Sequence, residues 1–167
     1  MDSLVIKKNL ALVQFLILSS IAFIAPFLLN QFLAGPIVNA VLFIVTFILG
    51  IQAGILVSLF PSLVAISIGL LPIILLPMIP FIILGNIILV LTFSYFKDKN
   101  YWLGVIIASF LKFIFLYSIS YILINFILEK EISFKIASMM GWPQLFNALM
   151  GGIIAYLFLK IIKRIPC

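Results

Sequence analysis

The chain has no histidine, one cysteine and only four acidic residues among its 167. Without histidine, the commonest metal ligand and the usual proton shuttle are both missing. Cys167 stands alone, so neither a disulfide framework nor a metal–thiolate cluster is expected. Asp2, Asp98, Glu129 and Glu131 fall in predicted loops or tails, which leaves no carboxylate inside a helix for proton or sodium coupling. A phosphate-binding glycine loop with its lysine is absent, so the chain is not expected to hydrolyse ATP. There is no GxSxG-like nucleophile either, and inverted repeats are not evident. An enzyme is not expected. Charged residues are also scarce, at 8% against about 25% in ordinary soluble domains.

What is present is apolar. Hydrophobic residues make up 66% of the chain, which reads as an integral membrane protein folded as one bundle. A span needs roughly 20 apolar residues to cross a hydrocarbon core about 30 Å thick. Six runs qualify: 9–29, 35–50, 52–70, 78–96, 101–128 and 141–164. The expected fold is therefore an all-α, polytopic bundle of six transmembrane helices in a single domain, 1–167. The first run is long enough to span, and no small-residue cleavage site ends it, so a cleaved signal peptide is not expected.

Basic residues set the orientation. Lys7, Lys8, Lys97, Lys99, Lys160, Lys163 and Arg164 fall on one side of a six-span bundle. Only Lys130 and Lys135 fall on the other, beside Glu129 and Glu131. By the positive-inside rule both termini are cytoplasmic. The net charge of +6 then reports topology, and a nucleic-acid partner is not expected. Pro26, Pro36, Pro72, Pro77, Pro80 and Pro143 lie at the outer ends of helices or in outer loops, with Pro61 inside the third run. The stretch Gly69–Asn86, GLLPIILLPMIPFIILGN, cannot be one continuous helix, because Pro72, Pro77 and Pro80 lack the backbone donor. Irregular backbone at membrane depth survives only when packed in protein or lining a cavity, which marks the outer face for binding.

Lys112, eleven residues past Tyr101, is the one cation placed near mid-membrane. A centred lysine costs about 2.5–3.5 kcal/mol on insertion scales and marks function; the bland alternative is a stem that snorkels to the interface. Helical spacing is read to place Ser109, Lys112, Tyr117 and Ser120 on one face. Outer-half polar and aromatic residues at Asn30, Asn39, Asn86, Tyr121, Trp142, Gln144 and Asn147 are expected to converge with Lys112 on a substrate pocket. For any single amide, interhelical hydrogen bonding is the plain alternative. Tyr101-Trp102 and Trp142 also suit aromatic belts at the two interfaces. Gly50, Gly54, Ser58 and Ser62 form a small-residue row that allows a close helix approach, within this bundle or to a partner subunit. Ser19 and Ala22 belong to a looser row in the first run.

Gly35-Pro36 leading to Asn39-Ala40, Gly50 and Gly54 at the hairpin, Pro61, and Pro77-Met78-Ile79-Pro80-Phe81-Ile82 ending in Gly85-Asn86 carry a resemblance. Together with six spans and no energy source of its own, the chain resembles the substrate-binding S component of an energy-coupling factor (ECF) transporter, in an uncharacterised branch. The resemblance implies a multi-pass protein of a prokaryotic plasma membrane that scavenges a vitamin or similar micronutrient from outside. It also implies a partner transmembrane subunit and two ATPase subunits, which use the ATP. Lys112 would then pair with an anionic or carbonyl group, Asn86 and Asn147 would donate and accept hydrogen bonds, and Tyr121 or Trp142 would stack on a ring. The family's alanine-x-x-x-alanine docking motif is absent, because Ala11 is followed at that spacing by Phe15. The row of Gly54, Ser58 and Ser62 is its expected substitute. Lack of histidine speaks against the cobalt and nickel branch. The competing readings are a small membrane scaffold, such as an MreD-like cell-shape protein, and one subunit of a small exporter.

Overall fold

The computed structural model describes residues 2–29, 31–69, 73–126 and 139–165. Among these, all regular structure is helical. The elements are α1 (Asp2–Leu28), α2 (Gln31–Ile48), α3 (Ile51–Ser58), α4 (Phe60–Ser67), a 3₁₀ segment (Ile73–Met78), α5 (Ile79–Phe96), α6 (Tyr101–Phe126) and α7 (Trp142–Ile161). Four of the helices are long and apolar enough to cross a membrane: Lys8–Leu28, Leu76–Phe96, Tyr101–Leu123 and Trp142–Ile161. The second and third expected spans are shorter apolar helices, Leu33–Ile48 and Ile51–Ser67.

Prolines explain most of the boundaries. Pro61, Pro80 and Pro143 sit in the first turns of α4, α5 and α7, where a missing N–H leaves no bond unmade. The third apolar run divides at Leu59 because Pro61 offers no donor to the preceding turn. Leu59 keeps helical dihedrals (φ −75°, ψ −38°), and its N–H reaches the Leu56 carbonyl at 3.4 Å in a tighter turn. Gly50 starts α3 at φ +90°, a conformation that only glycine adopts freely, and so makes the sharp α2–α3 turn possible.

Small residues set the closest contacts. On α7, a Cβ at Gly151 would lie 2.8 Å from the Ala40 nitrogen and 2.9 Å from the Pro36 carbonyl oxygen. Backbone therefore meets backbone where α7 crosses α2. Gly152 faces the other way, against Val105 of α6, and its carbonyl accepts a 2.8 Å hydrogen bond from the Tyr101 hydroxyl. Gly54 of α3 is wedged against Thr46 of α2 and Val90 of α5.

Two apolar clusters hold the bundle. The larger includes Phe43, Phe93, Val105, Ala148, Ala155 and Leu159. In it the Phe43 and Phe93 rings meet edge to face at 4.8 Å, and Phe93 meets Tyr101 at 5.5 Å. Lys97 closes this end by reaching the Thr46 and Phe47 carbonyl oxygens, both at 3.4 Å, at the C-terminus of α2. The smaller cluster, at the opposite end, joins Met78, Ile82, Leu116, Leu123 and Met140.

Three expectations change here. Tyr101 is no belt residue: it is buried, while Trp102 is exposed and packs on Tyr156 at 4.8 Å. Tyr117 leaves the polar stripe of α6. Five residues past Lys112 is about 140° around a helix, and Tyr117 is 54% exposed while Leu116 takes the buried position. Gly54, Ser58 and Ser62 are buried against this chain's own helices, so their row packs the bundle and is not open to a partner.

Gly151→Ala should destabilise the fold by about 1–3 kcal/mol, because the added methyl meets backbone that cannot swing aside. Gly85→Ala should cost less, because its new contacts are side-chain atoms of Leu116 at 3.2–3.4 Å. Thermal unfolding of both variants in detergent checks the order.

Candidate functional site

Three helices each contribute one polar side chain to a single point. Asn39 lies near the middle of α2, Asn86 two turns into α5, and Lys112 near the middle of α6. Lys112 is 2% exposed, and its ammonium donates to Asn39 Oδ1 and to Asn86 Oδ1, each at 2.7 Å. Such short bonds are typical of a charged donor. Asn39 is locked on its other side too, donating from Nδ2 to the Gly35 carbonyl at 2.8 Å. Among the described residues no carboxylate approaches Lys112: Asp98 is exposed beyond the far end of α5.

The three groups border a cavity of about 100 Å³. Gln144 and Asn147, from the first turns of α7, line it as well. Gln144 is held by a 3.3 Å bond from Nε2 to the Met139 carbonyl. Asn147 lies against Gly35, where a side chain on α2 would strike its amide. Pro26, Val38, Ala65 and Ile82 supply the apolar wall. Ser109, one turn before Lys112, is fully buried, and its hydroxyl has no partner among the described residues.

Five of the eight expected pocket residues therefore come together: Asn39, Asn86, Lys112, Gln144 and Asn147. Two do not line the cavity. Tyr121 and Trp142 are each 64% exposed, and Trp142 stacks on Phe113 of α6 with ring centroids 5.3 Å apart. A lone aromatic at a helix start carries no sign of which ring it will meet. Asn30 lies outside the described residues. Ser62, expected on a docking face, instead lines the cavity.

The remaining docking residues divide. Gly50 has open space around its Cβ position and serves the turn. Ala22 is buried in the larger cluster, while Ser19 is half-buried with its hydroxyl unpartnered among the described residues. Sequence reasoning missed Gly35 and Pro61 as cavity residues, although both stand out as helix-irregular positions in apolar runs. No metal-binding group of His, Cys, Asp or Glu occurs among the described residues. No family model, curated protein or solved structure matches this chain.

Chemically, the arrangement is a buried cation held by two neutral dipoles beside a small polar cavity. It can bind and orient, and it offers no nucleophile–base pair among the described residues. Asn86→Leu should destabilise the protein by about 1.5–3 kcal/mol, the worth of a hydrogen bond to a charged group. In a Lys112→Met background the same change should cost clearly less, because no ammonium remains to be satisfied. A thermodynamic double-mutant cycle measures the difference; equal costs in both backgrounds would contradict the pairing.

Proposed function

We propose that this protein is the substrate-binding subunit of an ECF-type importer, a six-span protein of a prokaryotic plasma membrane. In this reading both termini are cytoplasmic, and the cavity beside Lys112 faces outward. The observation that carries the proposal is the convergence of Lys112, Asn39, Asn86, Gln144 and Asn147 on one cavity at the end away from Lys97 and Lys160. A buried charge in an apolar bundle is costly unless it works. Scattered amides that merely join helices would have no reason to share a cavity.

The cavity also limits the cargo. Pockets for drug-sized ligands occupy about 300–1,000 Å³, and this one is about 100 Å³. The solute is therefore at the small end of the micronutrient range. Energy comes from a partner transmembrane subunit and two ATPases, since the chain has no phosphate-binding loop.

The scaffold reading draws on one observation. Asn39 and Asn86 already satisfy two of the three Lys112 donors, as a structural lysine would require. Lys112→Ala separates the two. An importer subunit should lose at least ~10-fold in affinity for the small molecule that co-purifies with it, a loss of about 1.4 kcal/mol. That loss should exceed any effect on thermal stability. Native mass spectrometry identifies the molecule, and a pull-down from host membranes tests for the ATPase partner. An empty cavity with no ATPase in the pull-down would overturn the importer reading.

A further inference from the structure

The hydrogen bonds already made around Lys112 sort the polarity of what remains. An ammonium has three donors and no acceptor, so Asn39 and Asn86 must both turn their carbonyl oxygens toward it. That fixes the amide orientations on chemical grounds. Asn39 then spends Nδ2 on Gly35, while Asn86 Nδ2 has no acceptor among the described residues. Asn86 therefore keeps an unused N–H₂ group at the cavity, while its oxygen already accepts from Lys112. The third Lys112 donor is likewise unused by the described residues, and the Asn147 amide makes no hydrogen bond to them.

Charge points the same way. A buried ammonium ordinarily finds a counter-charge, and among the described residues Lys112 has none. The lining adds amides and the Ser62 hydroxyl, with no acidic side chain, and then turns apolar at Val38, Ala65 and Ile82. We infer that the cavity takes a small organic monoanion, with its carboxylate on Lys112 and Asn86 and a short apolar body against Val38 and Ile82. The inference deepens the importer reading and rests on it. A cationic solute would meet a like charge at Lys112, with no carboxylate in the lining to offset it.

Thermal unfolding of the detergent-purified full chain tests it with four probes: butyrate, butyramide, butylammonium and chloride. Butyrate should raise the midpoint saturably, by ~5 °C or more near saturation. The isosteric amide, the amine and chloride should leave it unchanged. Asn86→Asp provides a second reading, because it places a carboxylate beside Lys112. That variant should unfold at a higher temperature than the parent without ligand and should no longer respond to butyrate. Butyramide or butylammonium matching butyrate would overturn the anion assignment and leave a binding subunit standing. Chloride matching butyrate would overturn the organic carboxylate. No response to butyrate would also overturn the inference, while the importer reading stands or falls separately on the co-purified molecule and the ATPase pull-down.

Discussion

A single ammonium group determines how much of this bundle is arranged. Lys112 sits where burying a charge is costly, and it is held there by two amide oxygens from two other helices. Those bonds tie α2, α5 and α6 together at one depth. A rotation of any of the three would leave a buried donor without an acceptor, so the contact specifies the register of the helices as well as their proximity. Apolar packing alone is less discriminating, because leucine and isoleucine faces slide past one another at little cost.

The glycines of α7 make that contact possible. Gly151 lets α7 press backbone to backbone on α2 between Pro36 and Ala40, one residue from Asn39. Gly35 makes room for Asn147 on the same seam. Polar groups from α2 and α7 consequently share one cavity wall, with α5 and α6 completing the other. At the far end, Tyr101 and Lys97 fasten α6 and the α5–α6 turn to backbone carbonyls of α7 and α2. One end of the bundle is thus dedicated to closure, the other to the cavity.

Much of this was legible in the chain. Lys112, Asn39 and Asn86 stand out because a cation or an amide inside an apolar run needs a partner, but that they pair with one another appears only in the fold. Helix starts at Ile79 and Trp142 follow from Pro80 and Pro143. What could not be read depends on neighbours distant in sequence. The periodicity of Gly54, Ser58 and Ser62 defines a face, but whether that face meets α2 and α5 or a separate subunit is decided only by the tertiary arrangement. Trp142 packing on Phe113 and Tyr101 bonding to Gly152 are long-range contacts with no local signal. Tyr117 is a different failure, one of helical arithmetic, because five residues do not return to the same face.

Among the described residues no carboxylate answers the charge at Lys112, and an experimental structure of the purified chain in a lipid environment tests whether that holds for the whole chain. A non-protein acceptor should lie within hydrogen-bond distance of Lys112 Nζ, with Asn39 and Asn86 still bonded to it. A carboxylate of Glu129 or Glu131 on Nζ, with the cavity filled by protein, would contradict it.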